Sequence, residues 1–228
     1  MDFIINRRIG IAFLGMFLMV FATGCSSKVT IQANPNKSQN VEIKIDLGKH
    51  LLKTINDLTQ GLGQFMDGEE IPEITAANLV TKRDIENTIG TQGAKNISVA
   101  NPSKEMLDIK FSLDKNSKLK NFIEQTENSL SLNLSGSTLQ EIYFSFDEDD
   151  TMILDLLMAP CFTGEEISAE DYADVIETLY GRELANDLRT AKIDWILVAP
   201  KGVKSRTFQT TVLDFLTLTG EKKFDIQW

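Results

Sequence analysis

The hydrophobic period of the chain changes at Asp46. Before it, apolar residues occupy every second position on both sides of the turn-rich stretch PNKSQN: Val29, Ile31, Ala33, Val41, Ile43 and Ile45. This alternation predicts a hairpin or two short strands. After Asp46, apolar residues recur at spacings of three and four up to Phe65, which predicts an amphipathic helix ending near Met66 and Gly68.

The rest of the chain switches between the same two periods. Helices are predicted at residues 82–89, at residues 118–128 and from Ser168 onward, where Asp171 completes a capping-box signal and Gly181 introduces a break. Strands are predicted at residues 97–100, 106–113, 130–134, 139–146, 152–158, 193–200, 206–218 and 222–228. This order favours an α+β fold, with a largely antiparallel sheet and three to four packed helices.

The first 24 residues have the composition of a secretory signal peptide. Arg7 and Arg8 form its positive zone, and residues 11–22 follow without a single polar side chain. Those 12 residues are fewer than the roughly 20 that a helix needs to span a bilayer. Small residues then lead directly into a cysteine, in the stretch Ala22-Thr23-Gly24-Cys25.

This stretch resembles the lipobox of bacterial lipoproteins, with Ala22 where the usual lipobox has leucine. The resemblance implies cleavage before Cys25, a diacylglyceryl group on the Cys25 sulfur and palmitate or a similar acyl chain on its new amino group. Two or three acyl chains give stable membrane anchoring. The alternative is a plain signal peptide or an uncleaved N-terminal anchor, in which Cys25 is incidental.

The predicted organisation follows from that anchor. Residues 1–24 are the signal peptide, residues 25–40 hold the anchor, a short tether and the first strand, and residues 41–228 form an extracytoplasmic α+β domain. A division of this domain into two subdomains near residue 128 stays open. The predicted location is the membrane, on its periplasmic face or at the cell surface, and the outer membrane where the organism has one, because Ser26 rather than Asp follows the cysteine.

The charge of the chain excludes one class of partner. Cleavage before Cys25 would remove Asp2, Arg7 and Arg8. The remaining chain has 21 basic and 32 acidic residues, which is a formal net charge of −11. Such a surface repels nucleic acid and anionic lipid head groups, so membrane association has to come from the anchor. We predict no nucleic-acid partner.

Two further residue types are scarce. With Cys25 acylated, Cys161 is the remaining cysteine and has no partner for an intrachain disulfide, so we expect it to be a small buried side chain. His50 is the single histidine, and we expect it on the solvent side of the first helix. Neither residue is predicted to be catalytic, and we predict no cofactor and no metal ligand.

The stretch Phe144-Ser145-Phe146-Asp147-Glu148-Asp149-Asp150-Thr151 resembles the first motif of haloacid-dehalogenase-type phosphotransferases. The resemblance implies that Asp147 is a nucleophile, that Asp149 is a general acid and that Mg²⁺ lies between carboxylate and phosphate. That family places the motif after the first strand of a parallel α/β domain, whereas here it lies late in the chain. An acidic hairpin tip is the favoured interpretation.

The C-terminal stretch VAPKGVKSRTFQTTVLDFLTLTGEKKFDIQW is similar to the closing strands of LppM-type bacterial lipoproteins. The resemblance implies an α+β fold and an affinity for lipids or glycolipids. It covers about the last 35 residues and transfers no binding residue to this chain.

These observations favour a non-enzymatic, lipid-anchored binding or interaction module of the cell envelope, whose further partner is an apolar ligand or an envelope protein. A carrier of lipid or another apolar ligand, with an apolar cavity beneath the sheet, is the alternative. A metal-dependent phosphohydrolase centred on Asp147 is the second alternative.

Overall fold

The computed structural model describes residues 26–65, 72–79, 81–90, 92–114, 116–117, 119, 122–143 and 159–228. The strands in these ranges are β1 (Ser26–Ala33), β2 (Gln39–Asp46), β3 (Ala94–Ala100), β4 (Met106–Leu113), β5 (Ile123–Gln125), β6 (Ser129–Ser135), β7 (Lys192–Val198), β8 (Ser205–Thr211) and β9 (Glu221–Gln227). The helices are α1 (Lys49–Phe65), α2 (Ala76–Leu79), α3 (Lys82–Ile89), α4 (Gly136–Tyr143), α5 (Pro160–Thr163), α6 (Ala169–Tyr180), α7 (Arg182–Thr190) and α8 (Val212–Leu216).

The strands form two sheets. The larger has six strands in the order β3-β4-β2-β1-β7-β8, and the smaller has three in the order β5-β6-β9. Every neighbouring pair is antiparallel except β1 and β7, which run parallel, with Ser26 opposite Lys192 and Gln32 opposite Val198. The prediction of an α+β fold with a largely antiparallel sheet is therefore confirmed.

One face of the six-stranded sheet carries the hydrophobic core. Alternate side chains on its central strands are buried there: Val29, Ile31, Val41, Ile43, Ile45, Leu107, Ile109, Phe111, Ile193, Trp195 and Leu197. Trp195 connects this face to other elements, because its ring centroid lies 6.3 Å from that of Phe215 on α8 and 6.1 Å from that of Phe224 on β9. Helices and the smaller sheet thus share one core with the larger sheet.

Local signals explain where α6 and α7 begin and end. The Ser168 hydroxyl accepts a hydrogen bond from the Asp171 backbone N–H at 3.1 Å and donates one to the Asp171 carboxylate at 2.6 Å. Gly181, with φ of 92°, separates the two helices as predicted, since this backbone conformation is unfavourable for residues with a Cβ.

Two predicted strands are helical in part. Residues 139–143 of the predicted strand 139–146 belong to helix α4, because the Ser135 hydroxyl accepts the Thr138 backbone N–H at 3.1 Å and caps the helix. Residues 212–216 of the predicted strand 206–218 form α8, which Thr211 caps in the same way through Asp214.

The predicted helix 118–128 is also wrong in its described part. Ile123–Gln125 is strand β5, paired with β6. The Gln125 side chain accepts a hydrogen bond from Gln39 and donates one to the Asn34 carbonyl, both at 2.8 Å, which holds the segment in extended form against the β1–β2 hairpin. The predicted strand 152–158 lies outside the described residues.

Replacing Ser168 with alanine tests the cap of α6. We expect Ser168→Ala to lower the free energy of unfolding by about 1 kcal/mol, because the Asp171 N–H loses its acceptor. Urea denaturation followed by circular dichroism measures the change. Ser205→Ala is the matched control, since Ser205 is exposed and makes no side-chain hydrogen bond with described residues; equal midpoints for the two variants would contradict the assignment.

Candidate functional site

The residue predicted to carry the lipid lies just before the first strand. Cys25 is outside the described residues, and β1 begins at the next residue, Ser26. Ser27 is already buried within the sheet. Any group attached to Cys25 is therefore bonded to the residue next to the start of β1, at one end of the six-stranded sheet.

The predicted phosphotransferase residues, Asp147 and Asp149, lie outside the described residues as well. The chain before them is described up to Tyr143, and its last described element, Gly136–Tyr143, is an α-helix. The phosphotransferase motif follows a strand, so this part of the required context differs.

Cys161 is buried in α5, with no exposed surface. Burial raises the pKa of its thiol well above the usual value. A thiol of this kind stays protonated at neutral pH and is a poor nucleophile. The prediction of a small buried side chain is confirmed.

His50 joins two helices instead of facing solvent. Its side chain is 23% exposed, and its Nδ1 lies 2.7 Å from the Asp187 carboxylate of α7, with Nε2 3.7 Å from Glu183. The interaction fastens the first turn of α1 to α7. In the described ranges no group of three or more His, Cys, Asp or Glu side chains is arranged to hold a metal ion.

The face of the six-stranded sheet opposite the core is polar and accessible to solvent, and we call it the open face. Its exposed side chains include Lys28 on β1, Asn40 and Lys44 on β2, and Lys110 on β4. They alternate with the buried core residues on the same strands, as the pleat of a β-strand requires.

A concavity of about 340 Å³ lies on this face. It is lined by Thr30, Gln32, Asn40, Val41, Glu42, Asn96, Lys110, Phe111 and Ser112. The side chains of Val41 and Phe111 are only 5% and 8% exposed and belong to the core face. The remaining seven residues give the concavity its chemistry.

Strand register arranges these polar side chains in two rows. In one row Gln32 of β1 lies opposite Asn40 of β2, which lies opposite Ser112 of β4. In the adjacent row Thr30 lies opposite Glu42, which lies opposite Lys110. Opposite residues on neighbouring strands point to the same face, so the two rows form a continuous surface.

Asn96 closes the rows at the edge strand β3. It has a positive φ of 56° at an irregularity between Lys95 and Ser98, where the register of β3 against β4 shifts. Its amide donates a hydrogen bond to the Ser112 hydroxyl at 2.9 Å. The bulge thus turns an amide side chain toward the rows.

The charges in the concavity compensate each other. Lys110 Nζ lies 3.0 Å from the Glu42 carboxylate, and Lys44 Nζ lies 3.3 Å from the same oxygen. The hydrogen bond from Lys110 holds the pKa of Glu42 below its usual value and raises the pKa of Lys110. Both lysines also lie 3.9 Å from Asp108 Oδ2, so two cations and two carboxylates form one neutral network.

Three neutral side chains of the concavity have no partner within the described structure. Thr30, Gln32 and Asn40 make no side-chain hydrogen bond there, although each has donor and acceptor capacity. They are therefore available for hydrogen bonds to a ligand without loss of an existing one.

Among the described residues, no helix is both long and apolar enough to cross a membrane. Comparisons of the sequence with known protein families and with curated proteins found no match.

Sequence patterns within single strands do not reveal this concavity. The alternation in residues 40–46 does predict that Asn40, Glu42 and Lys44 share the polar side of a strand. Their neighbours on β1 and β4 follow only from the register, which brings Thr30 and Lys110 together across 80 residues of sequence.

The burial of Cys161 leads to a reactivity prediction. In a Cys25→Ser variant, whose single thiol is Cys161, a thiol reagent such as Ellman's reagent should react only after the protein is unfolded. Absorbance of the released chromophore, with and without urea, measures this. Rapid reaction of the folded protein would contradict the buried position.

The Glu42 network predicts a dependence of stability on pH. A carboxylate whose folded pKa is lowered stabilises the fold above its unfolded pKa of about 4.5, and this stability is lost as pH falls through the folded value. Because the pair is partly exposed, we expect Glu42→Gln to lower the free energy of unfolding at pH 7 by up to about 1 kcal/mol. The difference from wild type should shrink below pH 4.5.

Urea titrations at several pH values measure that difference. Glu221→Gln is the control, because Glu221 is exposed on β9 and forms no ion pair with described side chains. A Glu42→Gln effect that stays constant from pH 7 to pH 3 would show that the ion pairs do not contribute.

Proposed function

We propose that this protein is a lipid-anchored, extracytoplasmic bacterial lipoprotein that acts as a non-enzymatic binding module in the cell envelope. The observation that carries the proposal is the N-terminal sequence, in which Arg7 and Arg8, an apolar stretch at residues 11–22 and three small residues precede Cys25. This order of zones is typical of an exported chain that is cleaved before a lipid-modified cysteine.

The start of the fold supports the proposed anchor. Strand β1 begins at Ser26, immediately after the residue that would become the mature N-terminus. Cleavage before Cys25 would therefore remove none of the described elements. The acyl chains would be attached directly beside β1, so the end of the sheet that holds Ser26 and Lys192 would lie closest to the bilayer.

The open face supports the proposed binding role. It presents a neutral concavity with unpartnered hydroxyl and amide groups, which suits recognition by hydrogen bonds. Cys161 is buried and His50 fastens α1 to α7, so these two side chains have structural surroundings.

Replacement of Cys25 tests the anchor. Wild-type protein should incorporate an alkyne analogue of palmitate, whereas Cys25→Ala should not, because it lacks the sulfur that the lipid modification requires. In-gel fluorescence after click coupling measures incorporation.

Cys161→Ala is the matched control, since it removes the other cysteine and should leave labelling unchanged. Unchanged labelling of Cys25→Ala would refute the lipoprotein proposal. Mass spectrometry of the N-terminal peptide would locate the modification independently.

A further inference from the structure

We propose that the concavity on the open face binds a neutral glycan strand of the cell envelope. The binding chemistry is argued from the concavity alone, and only its placement relative to the membrane rests on the proposed lipid anchor. The occupant is a chain of uncharged, polyhydroxylated sugar units.

The pairing of the charged side chains in the concavity favours a neutral ligand. The two charged side chains in the lining, Glu42 and Lys110, are paired with each other at 3.0 Å, so neither is free to bind an ion. Lys44 and Asp108 complete the network next to the concavity. An anionic ligand would also approach a chain with a formal charge of −10, which disfavours its association.

Hydrogen-bonding capacity selects a hydroxylated ligand. The unpartnered Thr30 hydroxyl and the Gln32 and Asn40 amides supply both donors and acceptors. Sugar hydroxyls also donate and accept, so they can satisfy all three side chains without a fixed charge. A purely apolar ligand would desolvate these groups without replacing their hydrogen bonds.

The shape of the surface selects a strand-like ligand. The rows cross β1, β2, β4 and β3, which at 4.7–4.9 Å per neighbouring pair gives a length of about 14 Å. On β7 the same rows continue with the half-buried Ile196 and Val198, opposite Thr30 and Gln32. A sugar ring has polar edges and apolar C–H faces, and this combination of amides and aliphatic side chains matches both.

The position along β1 favours an envelope polymer over lipid head groups. Thr30 and Gln32 are the fifth and seventh residues after Cys25, so they lie roughly 16–23 Å from the proposed anchor along an extended strand. At that distance the concavity would be in the aqueous layer above the bilayer surface.

Titration with oligosaccharides of different charge tests the proposal. The protein is purified as the cell produces it, in micelles of a detergent without a sugar head group, and the probes are chitohexaose, its cationic deacetylated form and the anionic hexamer of galacturonic acid. We expect chitohexaose alone to shift backbone amide signals of β1, β2 and β4 in ¹H–¹⁵N spectra. Affinity should be weak, because few hydrogen bonds are available.

Paired variants locate the site. Gln32→Ala with Asn40→Ala should weaken chitohexaose binding by about threefold to tenfold or more, the effect of one or more lost hydrogen bonds. Thr207→Ala with Gln209→Ala, on β8 of the same face but outside the concavity, should leave binding unchanged. Thr30→Val removes one hydroxyl at constant shape. Its binding of chitohexaose provides a second test of the site if the double variant is unstable.

Three results would overturn the inference: no binding of chitohexaose, stronger binding of a charged hexamer, or binding that is insensitive to all concavity variants. None of them bears on the lipid anchor, which palmitate labelling at Cys25 tests separately. Failure of the binding proposal is thus distinguishable from failure of the lipoprotein proposal.

Discussion

The parallel pairing of β1 with β7 connects the two parts of the larger sheet. It joins residues 26–32 to residues 192–198, and without it β8 and β7 would have no contact with β1 in the sheet order. Parallel neighbours need a long connection, and here the intervening chain contains helices, the strands β2 to β6 and the segments between them. The core side chains Val29 and Trp195 become neighbours only when this pairing forms, so the shared core depends on the strand pairing with the largest sequence separation in the described part of the chain.

Local patterns predicted much of the fold where one signal acted alone. Alternation located β1, β2 and β4, and the Ser168–Asp171 capping pair located α6. The errors arose where two signals competed. At Thr211–Asp214 a capping pair stands within an apolar run that also reads as a strand, and the cap prevails because α8 packs against Trp195 through Phe215. At Ile123–Gln125 pairing with β6 overrides a helical pattern, and nothing within that segment could reveal this.

The concavity was less predictable than the fold. Each strand's polar positions can be read from its alternation, but their grouping depends on the register of β1, β2 and β4, which long-range pairing sets. The bulge that places Asn96 beside Ser112 depends on a positive φ at a non-glycine residue, for which asparagine is one of the tolerant types. Composition also points away from this site, because an acidic chain gives no indication of a locally neutral surface.

That local neutrality determines how binding at the open face could become effective. With Glu42 and Lys110 paired, the concavity offers neither long-range attraction nor a strong charged contact, so the affinity of one copy for the proposed ligand would depend on a few neutral hydrogen bonds and would be weak. A lipid anchor would change this, because it holds many copies on one surface where they can bind the same polymer. Once one copy has bound the polymer, neighbouring copies bind it at a high effective concentration. The combined attachment would then be stable, although each domain makes no additional contact. Anchor and concavity would therefore depend on each other: the concavity would supply the specificity and the anchor would supply the avidity.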